Sequence, residues 1–135
     1  MTRMPLWILG PTVLGVLGTC AASSSTLREG RPGTVEEGMA TYYAPRLTGH
    51  RTANGERYDP KAMTAAHPDF PFGSRVRVTR LGSHIDVAPV TVRINDRCTR
   101  GKKIIDLSEA TARRLGMMKA GIVRVRLEIV SRALN

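Results

Sequence analysis

Apolar and polar residues alternate along several stretches of the chain, and that alternation predicts its elements. In SRVRVTRL (74–81), Val76 and Val78 share one face, with Arg75, Arg77 and Arg80 expected in solvent. VTVRIND (90–96) repeats the pattern with Val90, Val92 and Ile94, and period-two geometry puts Asp96 on their face. IVRVRLEIV (122–130) turns Val123, Val125, Leu127 and Ile129 inward against Arg124, Arg126 and Glu128. ATYYA (40–44) is a shorter strand candidate. One helix is predicted from Glu109 to Leu115: Ser108 caps it, Glu109 suits its positive end, Leu107, Ala110, Thr111 and Leu115 form its inward stripe, and Gly116 ends it. Alternating strands with one short helix predict a small barrel or sandwich.

The N-terminus follows a different pattern. Arg3 precedes LWILGPTVLGVLG, an apolar run shorter than the roughly 20 residues that span a bilayer, and the small residues of TCAASSS follow it. Residues 1–22 therefore read as an export signal. Two processing routes fit: lipid attachment at Cys20 of LGTC, or cleavage near Ser23 behind the small residues Cys20 and Ala22. Residues 23–35 are rich in Ser, Gly, Pro and charge, which predicts a flexible tether, with a folded domain over 36–131.

Composition narrows the function classes. The chain has 135 residues, enough for one core, and few aromatics, so that core is aliphatic. Its net charge is +10, and only Arg3 among the charged residues would leave with the signal, so the exported protein stays basic and attracts polyanions. The basic residues alternate along strands instead of clustering with aromatics, which argues against a specific nucleic-acid site. Cys20 and Cys98 are the two cysteines and give no disulfide framework, and Cys98 reads as structural or incidental. His50, His67 and His84 lack ligand spacing, so no metal or other cofactor is expected.

The span from Gly38 to Val130 resembles the RlpA-type double-psi β-barrel. The resemblance is carried by GMATYYAPRLTGHRTANGERYDPKAMTAAHPDFPFGSRVRVT, then VTVRINDRC, then IIDLSEATARRLG and the last strand, in order and spacing. It implies a mainly β fold, a six-stranded double-psi β-barrel with one or two short helices. It also implies an enzyme of the bacterial cell envelope, a lytic transglycosylase acting on peptidoglycan glycan strands, with preference for strands lacking stem peptides. A monomer is expected, held to a membrane only through a lipid on Cys20. Two departures stand out: Cys98 occupies a position where many relatives carry Gly before Pro, and only SRALN follows Val130, without the SPOR domain of many relatives.

The resemblance assigns Asp96, His67 and Glu56 as catalytic residues, and Asp59, Thr52, Asn95 and Arg97 as substrate-binding. The chemistry gives these types a reason. Breaking a glycosidic bond needs a proton on the leaving oxygen, and a carboxyl shielded from water can hold one near neutral pH. Asp96 is the candidate general acid and base, since a lytic transglycosylase can use the sugar's own 6-hydroxyl as nucleophile and return its proton to the same group. His67 would bond Asp96 or position substrate, and Glu56 and Asp59 would bind sugar hydroxyls. Local sequence also fits simpler roles: Asn95 and Asp96 as a turn, His67 as a loop histidine, Glu56 as an exposed carboxylate after the hairpin signal Asn54-Gly55, Asp59 before Pro60, and Asp106 as an orienting residue at the helix start. Two functions compete with cleavage: an expansin-like wall-binding module that does not cut, and non-specific polyanion binding.

Overall fold

The protein is described by a computed structural model that covers residues 30–82, 84 and 86–133; the export signal expected over 1–22, Cys20 and the tether residues 23–29 lie outside these residues. Six strands and one α-helix follow in order: β1 (Val35–Tyr42), β2 (Thr64–Ala66), β3 (Arg75–Arg80), β4 (Val90–Asp96), β5 (Lys103–Leu107), α1 (Glu109–Arg114) and β6 (Val123–Ser131), with a 3-10 turn over Pro45–Leu47. The strands close into a barrel in the order β1-β5-β2-β4-β3-β6. Two of its pairings are parallel, β1 with β5 and β2 with β4; the other four are antiparallel.

The half-buried strands form where alternation predicts them. Val76 and Val78 of β3, Val90, Val92 and Ile94 of β4, and Val123, Val125, Leu127 and Ile129 of β6 all enter one core cluster, filled by aliphatic side chains and Phe70. Arg75, Arg77, Arg124 and Arg126 stay exposed between them. β1 begins at Val35 and runs farther upstream than ATYYA suggests. Ahead of it, Gly33 N–H donates to Ile129 O at 2.8 Å and Ile129 N–H to Thr34 O at 3.0 Å, so part of the segment expected as tether lies against β6. β2 carries no alternation, being three buried residues, TAA, and β5, KIIDL, alternates only briefly, with Ile105 and Leu107 buried and Ile104 and Asp106 half-buried.

Helix α1 is capped by Ser108, whose hydroxyl accepts the Thr111 N–H at 3.3 Å, and it stops at Leu115 before Gly116 enters the left-handed region at φ 63°. Its buried residues are Thr111 and Ala112, so the inward stripe includes Ala112 in place of the expected Ala110.

Both parallel pairs contain a one-residue irregularity. In β1–β5, Met39 pairs with Lys103 and Ala40 with Ile105, leaving Ile104 as the extra residue. In β2–β4, Ala65 pairs with Ile94 and Ala66 with Asp96, leaving Asn95 extra. Such bulges reverse the phase of a strand. The core is closely packed around Ile94, which is fully buried at the residue before the second bulge. Replacing it with Ala is expected to lower unfolding free energy by about 2–5 kcal/mol, read as a lower urea midpoint with an unchanged slope.

Candidate active site

The bulge at Asn95 decides where Asp96 points. Ile94 and Asn95 are both buried, and Asp96 then turns away from the aliphatic core instead of joining Val90, Val92 and Ile94 as strict alternation predicts. There it meets a second, smaller cluster made of Tyr43, Tyr58 and Ala66, with Leu47 and Cys98 against it. Asp96 is half-buried and accepts three hydrogen bonds. The Tyr43 hydroxyl donates to Oδ2 at 2.6 Å, and the backbone N–H groups of Ala53 and Arg97 donate to Oδ1, both at 2.8 Å. A carboxylate offers about four acceptor positions, so this arrangement leaves one open, on Oδ2.

Ala53 reaches Asp96 because a tight loop holds it there. Thr52 N–H donates to Glu56 O at 2.7 Å, Gly55 N–H to Thr52 O at 3.0 Å, and Arg51 bridges Arg57, which closes the loop around the Asn54-Gly55 signal. Gly55 sits at φ 92°, a backbone conformation that side chains resist. Thr52 is buried, and its hydroxyl is spent on Asn54 Oδ1 at 2.7 Å and Glu56 O at 3.1 Å. Glu56 fastens the loop to β4: Arg93 donates to its two oxygens at 2.7 and 2.9 Å, Asn95 Nδ2 to Oε2 at 3.1 Å, and Asn54 Nδ2 to Oε1 at 3.0 Å. Four donors occupy the carboxylate expected to bind sugar hydroxyls. The Arg93 guanidinium, with help from Asn95, holds it down to about 2, so it is ionised throughout the neutral range and suits fastening instead of proton donation.

His67 also departs from its expected partner. Its ring is buried and stacks on Phe70 with centroids 3.6 Å apart. Nδ1 accepts the N–H groups of Asp69 and Phe70 at 3.1 and 3.0 Å, capping the turn that Pro68 starts, so the ring proton lies on Nε2 and faces Glu36 Oε2 at 3.2 Å. Both ring nitrogens are thus engaged away from Asp96; the link between the two residues is the His67 N–H on Asp96 O, at 3.2 Å. A pocket of about 80 Å³ beside the ring is lined by Glu36, His67, Pro68, Arg100, Gly101, Lys103 and Ile104, not by Asp96. Asp59 is exposed and accepts the Lys61 N–H at 2.9 Å, a turn role. Arg97 donates through Nη1 to Phe70 O at 2.8 Å and lies 3.9 Å over the Phe72 ring, which fixes the loop after β4.

Asp96, Asn95, Thr52, Glu56 and Arg97 are therefore gathered around one loop and one bulge, while the His67 ring and Asp59 face elsewhere. Two participants escape the sequence reading, and a third enters it only as an orienting residue at the helix start. Tyr43 is one, although ATYYA holds two adjacent tyrosines that a strand must send to opposite faces. Arg93 is another. The third is Asp106, which pairs in register with Ala66 on the side opposite Asp96, roughly 10 Å away by two strand spacings. It is 14 % exposed and bonded to Thr41 and Lys103, each at 2.8 Å. Burial first, opposed by Lys103 but joined by the Asp106 and Asp96 carboxylates, pushes the Cys98 thiol above its ordinary value, which makes it a poor nucleophile. Among the described residues, no group of three or more His, Cys, Asp or Glu side chains is set to hold a metal ion.

A closed six-stranded barrel with two parallel pairs defines the class: this is a double-psi β-barrel. Solved structures share it, including Streptomyces papain inhibitor (TM-score 0.58, 24 % identity, 74 % of this chain and 97 % of that one) and the apo expansin of Clavibacter michiganensis (TM-score 0.57, 23 % identity, 76 % and 53 %). Residues 35–127 match the family described as "Lytic transglycolase". Over 97 residues the chain is 46 % identical to the "Probable endolytic peptidoglycan transglycosylase RlpA" of Synechocystis, covering 71 % of this chain and 29 % of that protein. It is 41 % identical over 100 residues to the endolytic peptidoglycan transglycosylase RlpA of Vibrio cholerae, covering 73 % and 37 %. The chain belongs to the RlpA-like lytic transglycosylase family, and it spans about a third of the length of these curated relatives.

Glu56 predicts a specific acid response. A carboxyl held at about 2 in the fold, against 4.5 ordinarily, contributes stability that is present above pH 4.5 and is lost as pH falls from there towards 2. Because its side chain is 41 % exposed, solvent screening limits that contribution to about 1 kcal/mol or less. Between pH 6 and pH 3 the wild-type urea midpoint should fall further than that of Glu56→Gln.

Proposed function

We propose that this protein is an endolytic peptidoglycan lytic transglycosylase of the bacterial cell envelope, with Asp96 as its general acid and base. One observation carries the reading. Among the described residues, Asp96 is a partly buried carboxylate that accepts only neutral donors and has no lysine or arginine on it, in a chain with 21 basic and 11 acidic residues; Glu36, which faces the His67 ring, lies away from the loop and bulge where Asp96 and the other candidate residues gather. A cationic clamp, such as Arg93 forms on Glu56, would lock a carboxylate in its ionised form; Asp96 has none and keeps an open position on Oδ2. The family and the names of its curated relatives support the substrate class.

In the proposed cycle, protonated Asp96 gives its proton from Oδ2 to the bridging oxygen as the bond to the anomeric carbon breaks. The 6-hydroxyl of the same sugar bonds to that carbon, and its proton passes to the carboxylate, which restores the acid. The products are a 1,6-anhydro end and a free hydroxyl end, and no water is consumed. The backbone donors on Oδ1 fix the carboxylate against rotation. His67 acts through structure, holding the turn whose carbonyls anchor Arg97. The positive net charge draws the protein to anionic wall polymers, and export follows residues 1–22, with lipid on Cys20 or cleavage near Ser23.

Mass spectrometry of digested glycan strands tests the proposal. Wild type should release 1,6-anhydro products, and Asp96→Asn should lower the rate by about 10²–10⁴-fold with the fold intact. Retention on purified sacculi without new chain ends would instead identify a non-cutting wall-binding module.

A further inference from the structure

Among the described residues, the Tyr43 phenol is the one side chain bonded to the Asp96 carboxylate, at 2.6 Å on Oδ2, the oxygen that also carries the open position. Three features fix it. Tyr43 N–H continues the β1–β5 pairing by donating to Leu107 O at 3.0 Å. Its ring packs on Tyr58 with centroids 4.4 Å apart. Tyr58 is in turn held at the entry of α1, where its hydroxyl accepts the Glu109 N–H at 3.1 Å. Ala66, small and fully buried between Asp96 and Asp106 in the register, leaves the two rings their space. The phenol is therefore tied to β1, β5 and α1, elements separate from the strand that carries the acid.

We propose that Tyr43 is a positioning residue for Asp96: its hydroxyl orients Oδ2 so that the remaining lone pair faces the substrate oxygen, and it keeps its own proton throughout turnover. This rests on the proposed function above. Burial, and then the carboxylate beside it, push the Tyr43 phenol far above its ordinary value, so it stays a donor at any pH the protein meets. The phenol supplies no proton to the sugar. When Oδ2 gives up its proton, Tyr43 is the fixed donor that meets the new negative charge, at no cost of reorganisation.

The test is Tyr43→Phe, which keeps the ring packing and removes the hydroxyl. With wild type releasing 1,6-anhydro products, the variant should lose about 10–100-fold in kcat, with KM within about twofold of wild type and the thermal midpoint within a few degrees. Unchanged kcat would overturn the proposal. So would a lost rate accompanied by a large fall in midpoint, which would make Tyr43 merely structural. A readout independent of turnover accompanies it: by carbon-13 NMR at pH 7 the Asp96 carboxyl resonance should move between wild type and Tyr43→Phe, because the phenol bonded to Oδ2 is gone, while the Asp106 carboxyl resonance stays in place. An unmoved Asp96 resonance would also overturn it. Wild type that makes no product refutes the enzymatic reading instead, and the NMR comparison still decides whether Tyr43 governs Asp96.

Discussion

One extra residue in β4 underlies the candidate site. Asn95 has no partner on β2, so the strand's phase reverses between Ile94 and Asp96. Without that insertion, the Asp96 carboxylate would project among Val90, Val92 and Ile94, where an unpaired charge is not tolerated. With it, the strand places an aliphatic side chain in the core and, two residues later, an acid outside it. The insertion also buries Asn95, whose amide joins Glu56 and so ties the Thr52–Glu56 loop to the same point. That loop supplies the Ala53 N–H. The orientation of the carboxylate and the Ala53 donor on Oδ1 thus both depend on a single irregularity in pairing, while Tyr43 meets Oδ2 from the other side.

The barrel repeats the device. Ile104 is the extra residue of β5, and beyond it Asp106 is turned towards Thr41 and Lys103. Gly38 on β1 accommodates that bulge, since a Cβ there would come within 2.7 Å of the Ile104 side chain. The two parallel pairs therefore present two acids on either side of Ala66, and their environments differ. Asp106 has a lysine on one oxygen; Asp96 has a phenol and two backbone amides. Identical residue types in matching places are separated in character by what stands next to them.

These contrasts explain how far the sequence could be read. β3, β4 and β6 are legible because each has one wet and one dry face, so side-chain chemistry records the pleat. β2 is not, because its three residues are all buried, and β5 is not, because its alternation covers only Ile105, Asp106 and Leu107 behind a second isoleucine, too short a run to show a period. A bulge has no residue-type signature, so period-two counting puts Asp96 on the wrong face while identifying it as the unusual residue of its strand. The family resemblance supplies the six-stranded barrel that alternation alone leaves as barrel or sandwich. It cannot supply side-chain partners: His67 and Glu56 look like members of one catalytic set in the sequence, and each is engaged elsewhere by geometry that no spacing encodes.

The basic excess of the chain gives Asp96 its meaning. With almost two cations for each anion, most carboxylates are captured: Glu56 by Arg93, Glu37 by Arg124, Glu128 by Arg77, Asp69 by Arg100, Asp106 by Lys103 and Glu109 by Arg113. The neighbours of Asp96 are not short of charge, since Arg97 follows it directly. Arg97 is diverted, however: its guanidinium is spent on backbone carbonyls, chiefly that of Phe70, and on the Phe72 ring, and only its backbone N–H reaches the Asp96 carboxylate. The His67 turn makes that diversion possible, because it presents the Phe70 carbonyl where the arginine can reach it. A basic surface can thus gather an anionic polymer without neutralising Asp96, and the turn histidine contributes to that separation from outside the loop and bulge that hold the acid.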